Sequence, residues 1–358
     1  MCSRRAAWTP RPSRDTRLPA PPDTRLPAPP GDASVTAPRS LPVEPGYVAL
    51  EGGHARIEVV PTQGGRVRSL RLGGREWLVQ GGESSAPTSG VSPMAGAGWD
   101  ECAPAAGAGT VPEWVKGIGG RLVPPGGEAR LQSPEVSLRT TDEGPQLRCV
   151  WRGERLPWTL TRTLLVRPEG TIEARYEAVA TGTHRLPFLW SALMFFPLDA
   201  GTHLKLPDAA RLRVQSVTGA ELGGGTATSA HQWPRLTLDG KLRDLSAPWQ
   251  LPRKATVTGW VELGATRAAL QLVQGPAKLS LTFDGAGVPH CGVLLDRGGA
   301  RRGGKRGPLA RGVPPALAIS PSLGAPDRYA EALGDWQSIT WLVPGEPRRW
   351  TMLLRSGT

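Results

Sequence analysis

From Tyr47 onward the apolar residues fall in short runs cut by glycine and proline, and that punctuation limits the fold more than any other feature. Ile57 and Val59, then Val67, Leu70 and Leu72, are separated by Pro61, Gly64-Gly65 and Gly73-Gly74. In Leu160-Thr161-Arg162-Thr163-Leu164 apolar and polar residues alternate with period two, as a half-buried strand requires. Comparable runs occur at Val136–Leu138, Leu147–Trp151, Trp158–Val166, Ile172–Val179, Leu212–Val217, Thr256–Leu263, Ala268–Val273, Leu279–Phe283, Ser338–Val343 and Trp350–Leu354. Leu186–Leu198 is almost wholly apolar and reads as one strand buried on both faces. Pro326–Leu333, with proline in its first turn, is the single helix the pattern supports. With 46 Gly and 37 Pro available for turns, about a dozen closely spaced strands predict an all-β sandwich or barrel.

Three segments lie outside this pattern. Residues 1–40 are of low complexity, and Asp-Thr-Arg-Leu-Pro-Ala-Pro-Pro at 15–22 is repeated without change at 23–30. Such composition offers too little apolar surface to offset the entropy of ordering, so a disordered N-terminal tail is expected. Glu83–Gly127 and Gly298–Pro315 are long and rich in glycine; the first is expected to be functional and the second mostly disordered.

The formal charge of +12 invites a nucleic-acid reading, but its distribution argues against one. Residues 1–40 carry a net +4, and residues 297–311 carry +6. Neither stretch interleaves its charges with the aromatic residues on which bases would stack, so solvated flexible segments are the expectation. Cys2, Cys102, Cys149 and Cys291 are far apart and contain no CxxC, which speaks against a disulfide scaffold or a zinc knuckle. No apolar run reaches the ~20 residues that span a bilayer, and no apolar h-region follows Arg4 and Arg5. A reduced cytoplasmic setting without a membrane is expected. The glycine-rich stretches match neither GxxxxGK[ST] nor GxSxG, and no metal-ligand cluster stands out; no cofactor or metal is predicted.

Four stretches together resemble the galactose mutarotase-like, or aldose 1-epimerase-like, family. They are Val60-Pro-Thr-Gln-Gly-Gly-Arg-Val-Arg-Ser-Leu70, Gly98-Trp-Asp-Glu-Cys-Ala-Pro104, Leu186-Pro-Phe-Leu-Trp-Ser-Ala-Leu-Met-Phe-Phe196 and Ala316-Leu-Ala-Ile-Ser-Pro-Ser-Leu-Gly-Ala-Pro-Asp327. The resemblance implies a β-supersandwich over residues 46–355 and a small-molecule sugar as ligand. It also implies a Glu before the proline of the fourth stretch as base, a His three residues after the tryptophan of the third as acid, and a second, assisting His. Opening a sugar hemiacetal needs such a pair, because one group removes the anomeric proton while the other protonates the ring oxygen. Here the base position is Ser320, the acid position is Leu193, and no histidine lies between His54 and His184.

A carbohydrate-binding protein without the usual acid–base pair is therefore the first expectation. An active epimerase or sugar isomerase using displaced groups, Glu101, Glu113 or His290, is the alternative. A protein acting through its basic flexible segments is a third reading. Candidate sugar contacts are Trp99, Asp100, Glu101, Trp114, Trp190 and Asp296, since tryptophan stacks on apolar sugar faces and carboxylates accept from hydroxyls. Each also has a plain structural role open to it: core filler for Trp190, turn residue for Asp100 and Asp296. Trp260 reads as core and Asp327 as a helix N-terminal charge. The oligomeric state is not legible.

Overall fold

The computed structural model describes residues 46–80, 96–223, 229–264, 267–284, 287–298 and 315–357. The expected tail (1–40), residues 83–95 of the long loop and residues 299–314 of the basic stretch lie outside the described residues. Among the described residues the chain is almost all strand, with one five-residue α-helix, Tyr329–Leu333, and three short 3-10 turns.

Two large antiparallel sheets carry the architecture, one of eleven strands and one of eight. Seven strands of the larger sheet matter below: β1 (Arg66–Leu72), β2 (Trp99–Cys102), β3 (Ser191–Pro197), β4 (Arg211–Thr218), β5 (Thr256–Glu262), β6 (His290–Asp296) and β7 (Ala316–Ser322). They lie side by side in the order β1-β2-β3-β7-β6-β5-β4. The eight-stranded sheet is centred on Trp158–Val166, Ile172–Ala180 and Arg348–Gly357. The alternation read at Leu160–Leu164 has its structural cause there: Leu160 and Leu164 are buried in the core, while Thr161 and Thr163 are half-buried on the opposite face.

A single apolar cluster joins the sheets, containing Ile57, Leu70, Trp99, Met194 and Ile319 of the larger sheet with Leu160, Leu164, Ala174, Met352 and Leu354 of the smaller. Burial of each large side chain contributes roughly 1.5–3 kcal/mol. One ionic group lies among them. Arg162 and Glu101 are both 0 % exposed, and Nη1 of the arginine donates to Oε1 of the carboxylate at 2.9 Å, linking the two sheets across the core. Nη2 of Arg162 donates to the Gly65 carbonyl at 2.6 Å. That glycine sits at φ +67°, where a Cβ would lie 2.6 Å from the Trp151 ring, so the Gly-Gly turn of the first motif is required by close approach.

The run Leu186–Leu198 departs from its expected form. It breaks at Leu189-Trp190 into Leu186–Phe188, which pairs with Thr340–Leu342, and β3, which belongs to the larger sheet. The helix is shorter than Pro326–Leu333, starting only at Tyr329.

Candidate functional site

The register of the larger sheet brings one row of residues together across seven strands. Val67 pairs with Trp99, which sets Arg66 beside Asp100; Asp100 pairs with Leu193. Ser191 pairs with Ser322 and Met194 with Ile319, so Leu193 stands opposite Ser320. Ser320 pairs with Gly292, Gly292 with Trp260, and Trp260 with Arg213. Cross-strand partners point to the same side of a sheet, so the row Arg66, Asp100, Leu193, Ser320, Gly292, Trp260, Arg213 occupies one face. Their chain neighbours Trp99, Ala192, Met194 and Ile319 fill the core from the other face.

A cleft of about 510 Å³ opens over this row. Leu193, Gly292 and Ser320 form its floor, and Trp260 stands on one side of them. A Cβ at Gly292 would meet both the Trp260 ring and the Ser320 Cβ at 3.1 Å, so the glycine lets the indole lie close to the sheet. The polar lining comes from Gln215, Ser216, Thr258, Ser320, Asp327, Arg328 and Glu331.

Gln215 and Ser216 are adjacent in sequence yet both line the cleft, because β4 carries a bulge there. Val214 pairs with Gly259 and Ser216 with Thr258, leaving Gln215 unmatched. Gly259 accommodates the bulge: a Cβ on it would lie 2.6 Å from the Arg213 carbonyl oxygen. Trp260 Nε1 donates to Gln215 Oε1 at 3.3 Å, and Gln215 Nε2 donates to Asp327 Oδ1 at 3.1 Å. Asp327 is thus a cleft residue rather than a helix cap; the helix has no side-chain cap. Burial, then the charge of Asp327, pushes the Glu331 carboxyl above the usual carboxylate range, against the pull of Arg328.

None of the eight candidate site residues lines this cleft. Period two sends Trp99 and Glu101 to the core face, where both are 0 % exposed. Three donors hold Glu101: Arg162 and Tyr176 on Oε1, each at 2.9 Å, and Trp190 Nε1 on Oε2 at 2.7 Å. Trp190 is itself buried against Tyr176 and Trp350. Asp100 belongs to the row but lies beneath Arg66 and Arg130, with Arg66 Nε at 2.6 Å and Arg130 Nε at 3.0 Å. Glu113 and Trp114 are exposed on a loop, and Asp296 is buried, accepting from Thr256 Oγ1 at 3.0 Å and the Gly298 amide at 2.8 Å.

His290 stands at the end of β6, with Nε2 2.6 Å from Ser338 Oγ. Burial and the positive charge of Arg213 lower its pKa from 6.5 to about 4. Its folded form therefore favours the neutral ring. Between pH 6.5 and 4 the unfolded chain binds the additional proton, so stability is full above pH 6.5 and falls as pH drops through this window. We expect a loss on the order of 3 kcal/mol from this group, and a flatter profile of urea-unfolding free energy between pH 6.5 and 4 in His290→Asn. An unchanged slope would show that His290 is not responsible.

Gln215, Ser216, Thr258, Trp260 and Glu331 are cleft residues that no sequence motif marks, while Asp327 closes the fourth motif and was read there as a helix N-terminal charge. The one local signal was Gly259 within an otherwise regular strand, the mark of a bulge. Among the described residues, no group of three or more His, Cys, Asp or Glu side chains is placed to hold a metal ion.

No protein-family model matches the chain, and no curated protein matches it in sequence. Solved structures do match. Slr1438 from Synechocystis sp. PCC 6803 superposes with a TM-score of 0.62 at 16 % identity, covering 91 % of this chain and 99 % of its own. A galactose mutarotase-like protein from Lactobacillus casei ATCC 334 gives 0.54 at 16 % identity, covering 87 % and 100 %. The GalM/aldose epimerase homologue from C. elegans gives 0.56 at 11 % identity, covering 87 % and 98 %. Coverage from end to end of these structures, with two large antiparallel sheets around one core, establishes that the chain has the galactose mutarotase-like β-supersandwich fold.

Proposed function

We propose that this chain binds a small carbohydrate in the cleft above Leu193 and Ser320 and lacks the acid–base pair that an aldose 1-epimerase uses. One observation carries the reading. The two positions that the sequence resemblance assigns to acid and base lie 127 residues apart, yet they face each other on adjacent strands at the floor of the cleft. Two independently matched motifs thus converge on one point, where a proton donor and acceptor would flank a sugar ring. They hold an alkyl group and a hydroxyl instead. Leucine transfers no proton, and an alcohol is a negligible base at neutral pH. The cleft keeps what sugar binding needs: an indole at one wall, and hydroxyl, amide and carboxylate groups around it.

A second reading, an active isomerase with relocated groups, draws on Asp327 and Glu331. Two carboxylates line one cleft, and the second is held above the usual range, a pattern that separates a base from an acid. Polarimetry of freshly dissolved α-D-glucose and α-D-galactose decides between the two. Rotation decaying at the buffer rate, together with saturable proton-NMR shifts on sugar titration, is the result expected of a binding protein. Acceleration that disappears in Glu331→Gln would establish the isomerase and overturn our first reading.

Among the described residues, no helix is long and apolar enough to cross a membrane. A reducing cytoplasmic location belongs to the same proposal, and it is supported by the buried free thiols Cys102, Cys149 and Cys291.

A further inference from the structure

We propose that Asp327, aimed by the Trp260–Gln215 relay, is the specificity-determining residue of the cleft, and that it selects uncharged sugars presenting two adjacent hydroxyls while rejecting sugar phosphates. The inference rests on the carbohydrate-binding reading and adds to it the class of sugar and the residue that chooses it.

Four features of the structure converge on this assignment. The bulge in β4 turns Gln215 out of the ladder and into the cleft, and Gly259 opposite it removes the side chain that would block the bulge. The Trp260 N–H then fixes which end of the Gln215 amide faces which way. With Oε1 accepting from the indole, Nε2 must face Asp327, and it donates to Oδ1 there. The Asp327 backbone is pinned independently, since its carbonyl accepts from the Gly107 amide at 2.8 Å. Among the described residues Oδ2 of Asp327 takes part in no hydrogen bond or ion pair, so one carboxylate oxygen is oriented and the other is left to accept.

A carboxylate held in this way accepts hydrogen bonds from vicinal hydroxyls, each bond to a charged acceptor being stronger than one to a neutral acceptor. The same indole that orients Gln215 lines the cleft and, at 7 % exposure, offers a sugar ring a narrow apolar contact. Charge sets what is refused. The cleft lining contains Asp327 and Glu331 against Arg328, and Arg328 lies 3.7 Å from Glu331. Arg213, at the end of the row, is placed over the Trp336 ring at 4.7 Å. Arg328 faces Glu331 and Arg213 the Trp336 ring, so among the described residues no cation pairs with Asp327, and its charge opposes a phosphate dianion brought to it.

Isothermal titration of the full chain with D-glucose, D-galactose, D-mannose and glucose 6-phosphate tests the proposal, alongside Asp327→Asn, Gln215→Glu and Trp260→Phe. Thermal unfolding confirms that each variant folds. Wild type should bind at least one neutral hexose and bind the phosphate at least about tenfold more weakly than glucose. Asp327→Asn should lose about tenfold in neutral-sugar affinity and narrow the gap to the phosphate. Trp260→Phe keeps an aromatic face and removes only the N–H, so a merely structural or stacking role predicts little change. The relay predicts a loss similar to that of Gln215→Glu, whose carboxylate cannot donate to Asp327. Neutral-sugar binding unchanged in folded Asp327→Asn, or a preference of wild type for glucose 6-phosphate, overturns the inference and leaves the carbohydrate reading standing. No binding of any of the four sugars by wild type overturns both.

Discussion

Replacing Glu101 by Gln is expected to destabilise the fold by about 3–5 kcal/mol, the usual cost of leaving one member of a buried ion pair without its partner. The geometry makes the substitution severe although it is nearly isosteric. Arg162 and Tyr176 donate to one carboxylate oxygen and Trp190 to the other. An amide has a single oxygen, so its NH₂ must confront either the indole N–H or the guanidinium and phenol. Arg162, 0 % exposed, would keep, among the described residues, the Gly65 carbonyl and the Cys149 sulfur as hydrogen-bond partners. The coupling is visible in Tyr176 too, whose hydroxyl is pushed well above its ordinary pKa, first by burial and then by the charge of Glu101. For a domain of this size the loss corresponds to a fall in Tm of roughly 5–8 °C. Arg162→Met should cost a similar amount, and the double variant less than the sum of the two singles, because it leaves no orphan charge. Calorimetric unfolding of the three variants reads this directly. A loss below about 1 kcal/mol in Glu101→Gln would mean that the pair does not tie the sheets together.

Leu193→His combined with Ser320→Glu is expected to raise mutarotation of D-galactose at least about 100-fold over wild type, the low end of what a positioned acid and base supply. The two positions stand opposite each other on β3 and β7, where cross-strand Cβ atoms are about 4.5–5.5 Å apart. Leu193 also stands opposite Asp100, so an imidazole at position 193 would have a carboxylate beside it on the next strand. Both side chains replace cleft-lining groups outside the main core, and the cost falls on the small apolar cluster of Phe195, Leu294 and Ala318 against which Leu193 packs. Either substitution alone should give less than about tenfold, since ring opening needs proton removal and proton donation together. Rate constants from polarimetry, with sugar titration to confirm that the cleft still binds, provide the measurement. A double variant that binds sugar and shows no gain would mean that more than these two groups separates this cleft from an epimerase.

The strands were largely legible because half-burial writes a period of two into the chain. Trp158–Val166 falls where the alternation placed it, and Ile172–Ala180 differs by one residue. Leu186–Leu198 misled for a physical reason. When both faces of a segment are buried no polar residue marks a break, so two strands of different sheets read as one.

The site was legible only through its motifs, which located Leu193 and Ser320 as the acid and base positions and also held Ala318 and Asp327 without marking them as cleft residues. Trp99-Asp100-Glu101 looked like a ligand loop; as a strand it turns Trp99 and Glu101 inward and leaves Asp100 under two arginines. Trp260 reads as a core residue, and it is buried, while Asp327 reads as a helix N-terminal charge. Only the sheet register and an unpaired bulge residue, neither written in local sequence, bring both to Gln215.

The row across the seven strands bears on how such a protein changes over generations. Ala192 and Met194 flank Leu193, Ile319 precedes Ser320, and all three lie in the core, so selection for stability and selection for chemistry fall on alternate residues of the same strands. A change at position 193 or 320 therefore leaves the main core untouched and loads only the small cluster around Phe195. Ancestry inferred from the inward-facing residues and occupation inferred from the outward-facing ones are then separate records, kept on the same strands one residue apart.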